Sequence, residues 1–389
     1  MPDSLTGEGL ARVSEAVAAH VGDDKVPGLV ALVARHDQVH VDVAGSLSIG
    51  GPAVQRDSLF RLSSTTKPVT GAATLALVEE GLLALDEPID RLLPEMANRR
   101  VLRRMDGPLD DTVPAGRAIT VRDLLTFTGG FGMIMDMFMS PQPWPVVAAT
   151  AELHLATIGP PMPDEQPDAD TWIAALGSLP LLAQPGERWL YNTGATVLGV
   201  LLSRAAGMPF ADVLRTRVFE PLGMRDTAFF ARDTSRLATA YQHTPDGLQV
   251  VDAPDGQWSH TPALGDGAAG LVSTADDMLA LAQMLLRGGS PLLSAGAVAA
   301  MTTDQLSASQ RAGGTGFLED GVSWGFCQSV VIAGPRAGAF GWAGGLGTTW
   351  LVDPHRDLVV IVMSQRMFDT AGAPQVHLDI QAAAYSALP

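Results

Sequence analysis

Apolar and polar positions recur along this chain with two different periods, and the change from one to the other marks out its elements. Residues 4–22 carry apolar side chains every three to four positions and end at Gly22, which predicts an amphipathic helix. Leu29 to Ala34 and Val39 to Ala44 are β-rich runs around Arg35-His36-Asp37-Gln38, the pattern of two strands and a turn. From Phe60 to Asp86 (FRLSSTTKPVTGAATLALVEEGLLALD) the chain opens polar, meets Pro68 and then runs almost wholly apolar to Val78. That predicts a helix starting near Ser63 or Ser64, apolar on nearly every side and hence buried, with Gly81 as its stop. Pro88 to Pro94 is a turn-rich connector. Val121 to Phe127 reads as a helix behind Thr120 as its cap.

Thr128 to Pro145 (TGGFGMIMDMFMSPQPWP) reads as a loop too apolar for plain surface. Residues 159–170 read as an exposed loop, rich in proline and acid. After Tyr191-Asn192-Thr193-Gly194 an apolar helix runs to about Ala206. Residues 231–266 are polar and show no period. Gly267 to Gly289 reads as a glycine-rich turn, a Ser/Thr cap and a helix with glycine stops. Strand-like runs follow at Ser323 to Ala333, Gly347 to Asp353 and Leu358 to Ser364, then a helix from about Val376 to Leu388. Strands at both ends with helices between predict one sheet built from the two termini with a helical insertion. No internal repeat is present.

Composition narrows the function classes. The 389 residues are 47% hydrophobic and 17% charged, so the chain is core-rich and globular, as one large or two intimately built domains. Net charge is −17, from 25 basic against 42 acidic residues, which argues against nucleic-acid and anionic-membrane partners. The N-terminus lacks a basic patch followed by an apolar core, and no apolar run approaches the roughly 20 residues of a membrane span, so the cytoplasm is expected. The single cysteine, Cys327, excludes an internal disulfide.

The chemistry gathers at the start of the buried helix. Ser64 and Lys67 are three residues apart, hence on one helical face. A serine hydroxyl needs a base to become nucleophilic, and a desolvated lysine can be tuned to that task. A helix N-terminus adds a field that favours negative charge and backbone N–H groups free to bind an oxyanion. The chain has only two lysines, Lys25 and Lys67, against 23 arginines, and arginine does not deprotonate. The plainer alternative is a lysine capping an exposed turn. Methionine-rich segments make adaptable apolar pockets, so Phe131, Met133 and Met135 are candidates to line a hydrophobic substrate cleft; a core-covering loop is the alternative. His36 and His40, four apart, fall at a turn and the next strand with no third ligand nearby, and read as solvated. Gly321-Val322-Ser323-Trp324-Gly325 matches the G-x-S-x-G nucleophile elbow, but that motif needs a strand before and a helix after it. Here a strand continues through Phe326-Cys327-Gln328-Ser329-Val330-Val331, so Ser323 is read as non-catalytic and Cys327 as buried.

Six segments taken in order carry a family resemblance: FRLSSTTKPVTGAATLALVEEGLLALDEPIDRLLPE, VRDLLTFTGGF, PGERWLYNTG followed by VLG, PLGMRDTAF, AAGLVSTADDM and GWAGGLGTTWLVDP. The chain resembles the serine hydrolases that share the fold of class C β-lactamases and D-alanyl-D-alanine peptidases, and among them most closely the family VIII carboxylesterases. The resemblance implies an α/β (α+β) fold. Its antiparallel sheet, from residues 1–75 and 268–389, is flanked by helices, with a mostly helical inserted domain over 76–267 and the active site between them. It also implies Ser64 as the nucleophile of an acyl-enzyme, Lys67 as acceptor of its proton or support for the next base, and Tyr191 as general base and then proton donor. Which of Lys67 and Tyr191 is the primary base stays open. Tyr191 is one of only three tyrosines; a core tyrosine at a helix start is the plain alternative.

Trp342-Ala343-Gly344-Gly345 matches the third motif, and the N–H groups of Ser64 and Gly345 would form the oxyanion hole. Trp342 stands where lactamases and peptidases begin Lys-Thr-Gly, and Thr193 stands where Tyr-x-Asn requires asparagine, with Asn192 one residue early. Both departures remove groups that recognise the amide and carboxylate of a β-lactam. The expectation is a serine esterase for small carboxylic esters, with no metal or cofactor. An acyltransferase is the alternative; β-lactam, D-amino-acid peptide and linear amide hydrolysis follow, and a non-catalytic binding protein comes last because all three catalytic positions are filled.

Overall fold

The computed structural model describes residues 4–389; Met1 to Asp3, assigned by the sequence reading to the sheet domain, lie outside the described residues. Seven strands form one sheet: β1 (Gly28–Arg35), β2 (Gln38–Gly45), β3 (Val322–Trp324), β4 (Ser329–Val331), β5 (Phe340–Gly344), β6 (Thr348–Asp353) and β7 (Leu358–Ser364). Their order is β2-β1-β7-β6-β5-β4-β3, and every neighbouring pair is antiparallel. The two ends of the chain therefore meet in the middle, with Leu29 opposite Ser364 and Arg35 opposite Leu358.

The sequence explains why these strands are central. β1 and β7 are apolar at nearly every position and buried on both faces, whereas the edge strand β2 alternates. Alternate side chains of one strand serve opposite faces. Leu29, Ala31 and Val33 join Leu358, Val360 and Val362 in a layer with Val13, Val17, Ile380 and Ala384 from helix α1 (Gly7–His20) and the last helix, Gln375–Ser386. Val30, Leu32, Val359, Ile361 and Met363 face the main core, shared with α2 (Thr66–Glu79) and the helix Ala275–Leu286.

Between β2 and β3 most of the regular elements are helices, including α3 (Val121–Leu125), α4 (Met135–Met139), α5 (Pro145–Glu152), α6 (Ala169–Ser178) and α7 (Thr193–Ala206). Thr120 and Asp123 form a reciprocal capping box at α3, a cap that stabilises by about 1 kcal/mol. Among the described residues no single helix is long and apolar enough to cross a membrane.

Four details differ from the sequence expectation. The helix expected from Ser63 or Ser64 begins as a 3-10 turn over Ser63–Thr65 and becomes α-helical only at Thr66, which puts Pro68 in the first turn, where no N–H is needed. The methionine-rich segment is not a plain loop: α4 forms inside it because Met137 buries against the core. Residues 231–266, which show no period, hold a hairpin of Ala240–Thr244 with Gly247–Asp252, anchored by the buried ion pair of Arg61 with Asp252. The run Ser323 to Ala333 is two strands, β3 and β4, paired back on each other with Val330 opposite Ser323. The turn between them is held by the Cys327 N–H on the Leu125 carbonyl (2.9 Å) and the Phe326 N–H on that of Met301 (3.1 Å), with Cys327 at φ 60°.

Candidate active site

The turn that carries Ser64 is locked on three sides. The Leu62 carbonyl accepts from the hydroxyls of Thr65 (2.6 Å) and Thr348 (2.8 Å), and the Leu62 N–H donates to Leu271 (2.8 Å). Thr348 opens β6, so the turn is tied to the sheet. Ser63 sits at φ 47°, a left-handed conformation that costs a side-chain-bearing residue energy and is held here by these contacts. A Cβ on Gly344 would collide with the Leu62 carbonyl oxygen, so β5 can approach the serine turn only with glycine there. Gly345, one residue on, has open space around it and faces the cleft.

Lys67 lies on the first turn of α2 and is fully buried. Its Nζ donates to Ser64 Oγ at 2.8 Å and to the Ala268 carbonyl at 2.9 Å, and lies 4.6 Å from the centre of the Tyr191 ring. Burial lowers its proton affinity from 10.5 to about 7, against the opposing pull of Asp266. At neutral pH a large share of such an amine is free base.

Tyr191 is brought in by a short antiparallel bridge: its N–H and carbonyl exchange 2.9 Å bonds with Met133. Asn192, at φ 82°, then turns the chain into α7. The phenol contacts Ser64 and accepts from Trp342 Nε1 at 2.6 Å. Burial pushes its pKa up to about 12, opposed by those two hydrogen bonds, so the hydroxyl keeps its proton near neutrality. Around it stand Trp189, Phe317 and Trp342, with ring centres 5.5, 5.0 and 5.6 Å from that of Tyr191.

These groups open on a cleft of about 740 Å³. Ser64, Tyr191, Met133, Met135, Trp342, Ala343 and Gly345 line it; Gly344 lies behind, against the serine turn, and Phe131 lines a separate small cavity instead. Thr193 also faces that small cavity, its hydroxyl without a partner, while Asn192 lines the cleft. The positive φ of Asn192 thus puts the residue next to Tyr191 on the wall. Phe138, Met139 and Phe317 complete an apolar side that the sequence reading did not single out by residue. Among the described residues no arginine or histidine lines the cleft and no lysine except Lys67 beneath it, whereas Asp266, Glu319 and Asp369 do.

The other sequence candidates fall elsewhere. Ser323 is fully buried in edge strand β3, followed by a turn and not a helix, and its hydroxyl is held by Asp304. Cys327 is buried and burial pushes its thiol pKa up. His36, exposed, pairs with Asp357, and His40, partly buried, pairs with Asp42.

A buried lysine on a serine at a helix start, a tyrosine across from both and a glycine-lined strand edge define a serine acyl-transfer site. The beta-lactamase family profile matches residues 13–384, and the chain belongs to that family. Among its relatives, an uncharacterized protein of Mycobacterium tuberculosis (strain CDC 1551) is 38% identical over 336 residues, covering 82% of this chain and 80% of that protein. Esterase EstB of Burkholderia gladioli is 30% identical over 377 residues, covering 90% and 88%. The solved structure of EstCE1, a hydrolase with promiscuous acyltransferase activity, superposes with TM-score 0.82 at 26% identity, covering 97% of this chain and 99% of that one.

Proposed function

We propose that this protein is a cytoplasmic serine carboxylesterase of the family VIII type, cleaving small neutral esters through an acyl-enzyme on Ser64. The observation that carries the reading is the 2.8 Å bond between Lys67 Nζ and Ser64 Oγ at a lysine whose proton affinity lies near 7. A base works best when its pKa is near the working pH, which favours Lys67 as the acceptor of the serine proton. Tyr191, at about 12, is suited to donate.

Ser64 Oγ attacks the acyl carbon and its proton passes to Lys67. The N–H groups of Ser64 and Gly345 would bind the oxyanion as it forms. On collapse the C–O bond to the alcohol breaks, Tyr191 gives the departing oxygen a proton, and Lys67 restores that proton to Tyr191. Water then repeats the sequence on the acyl-enzyme: it loses a proton to the Tyr191–Lys67 pair, and Ser64 leaves with one. The sum is ester plus water to acid plus alcohol. Side chains and water complete this chemistry, so the reading needs no metal or cofactor.

An alcohol in place of water makes the same site an acyltransferase, the second reading, and the EstCE1 likeness favours keeping it. β-Lactam hydrolysis ranks below both, because Trp342 stands where the resemblance places the carboxylate-binding lysine and, among the described residues, no arginine, histidine or lysine lines the cleft. A small-molecule ester is the proposed partner; the net charge of −17 speaks against nucleic acid and anionic membranes. The test is hydrolysis of p-nitrophenyl butyrate by wild type, Ser64→Ala and Ser323→Ala. Loss confined to Ser64→Ala is expected, and the reverse pattern would sink the assignment.

A further inference from the structure

Asp266 is a buried acid that none of the catalytic motifs requires. It lies in the turn before the short strand Val272–Ser273 and the helix Ala275–Leu286, is 6% exposed and forms part of the cleft floor. Its Oδ1 accepts from the Thr196 hydroxyl on α7 at 2.7 Å and from the Ala268 N–H at 2.9 Å. The carbonyl of that same Ala268 accepts from Lys67 Nζ, and the neighbouring Gly267 carbonyl accepts from Thr70, one turn further along α2, at 2.7 Å. Asp266 thus holds Ala268, whose carbonyl aims the lysine, and is itself tied by Thr196 to the helix that Tyr191 precedes.

Groups on several elements face Lys67. Its own helix start offers the Ser64 hydroxyl. The segment before α7 offers the Tyr191 ring, the β3–β4 turn offers Cys327, and the 266–268 turn offers Asp266 and the Ala268 carbonyl. Burial keeps the Tyr191 phenol and the Cys327 thiol protonated near neutral pH. Burial also raises the Asp266 carboxyl, opposed by the Ala268 N–H, the Thr196 hydroxyl and Lys67 itself, so the acid and the lysine titrate as a pair.

We propose that Asp266 is a positioning residue for Lys67, holding Ala268, whose carbonyl aims the amine at Ser64, and supplying the negative charge that faces it. The inference rests on the serine-hydrolase reading. It makes this carboxylate the part of the site that keeps Lys67 from losing its proton too far below neutrality.

The experiment is the pH profile of kcat/KM for p-nitrophenyl butyrate in wild type, Asp266→Asn and Asp266→Ala. Asparagine keeps an oxygen for the Thr196 and Ala268 donors but removes the charge, and removing an opposite charge at close range moves a pKa by about one unit or more. The acid limb of Asp266→Asn is therefore expected about one pH unit or more below that of wild type. Asp266→Ala should show the same displacement and a lower plateau, because the clamp is lost too. A profile that only drops in height, with its acid limb unmoved, overturns the proposal. Should Asp266→Asn fail to fold, Thr196→Val takes one donor from the carboxylate and should move the limb the same way by less; an unmoved limb there overturns it equally. Wild type without Ser64-dependent hydrolysis would sink the parent reading instead, so the two failures are distinguishable.

Discussion

Replacing Lys67 with methionine should make the protein more stable and inactive, by an amount that depends on pH. Lys67 is fully buried and its proton affinity falls from 10.5 to about 7 on folding. Between those values the unfolded chain binds more protons at this position than the folded protein, so wild-type stability rises with pH across that window. Below pH 7 the whole penalty acts, about 5 kcal/mol at roughly 1.4 kcal/mol per pH unit. Near pH 9.5 about 1 kcal/mol remains, and above 10.5 it is gone.

Methionine fills similar space without charge but forfeits the bonds to Ser64 and Ala268, worth about 1 kcal/mol each. Lys67→Met should therefore exceed wild type by about 3 kcal/mol near pH 6 and fall about level with it or slightly below near pH 9.5. Urea unfolding followed by tryptophan fluorescence at the two pH values measures both differences. A stability gap that is the same at both values, or a variant less stable than wild type near pH 6, refutes a lysine whose ammonium is disfavoured by burial.

Three further outcomes follow from the geometry. Tyr191→Phe should lower kcat/KM, which reports acylation, by about 100- to 10,000-fold for alkyl esters but much less for p-nitrophenyl esters, since nitrophenolate leaves without a proton; equal losses of kcat/KM on both would remove Tyr191 as donor. Gly344→Ala should destabilise the fold by roughly 1–3 kcal/mol through its clash with the Leu62 carbonyl, whereas Gly345→Ala, with open space around it, should melt close to wild type. With Asp266, Glu319 and Asp369 on the cleft and no arginine or histidine among its described lining, a choline ester should be turned over about tenfold or more better than an isosteric ester ending in a carboxylate; the opposite order in kcat/KM would contradict that charge pattern.

Much of this molecule is legible in its sequence, for physical reasons that can be named. β1 and β7 are apolar at consecutive positions because both faces are covered, and Ser64 and Lys67 are recognisable because a proline and a polar start locate the first turn of a buried helix. Local pattern fails where tertiary contact decides. Gly325 to Gln328 look as strand-like as their neighbours, and only the carbonyls of Leu125 and Met301 turn them into a hairpin with Cys327 at positive φ. Phe131 shares its methionine-rich segment with Met133 and Met135, yet the glycine turns at 130 and 132 leave it on a different cavity. Asp266 sits in a stretch without periodicity, and its importance comes from Thr196, 70 positions away.

The central claim, an acyl-enzyme on Ser64, is tested most directly by intact-protein mass spectrometry after brief exposure to p-nitrophenyl butyrate, on wild type and Ser64→Ala. The account predicts a butyryl adduct in wild type only, which disappears in water as free enzyme returns. An adduct of the same mass on Ser64→Ala, or nitrophenol release by wild type with no adduct even at the shortest times, would contradict it.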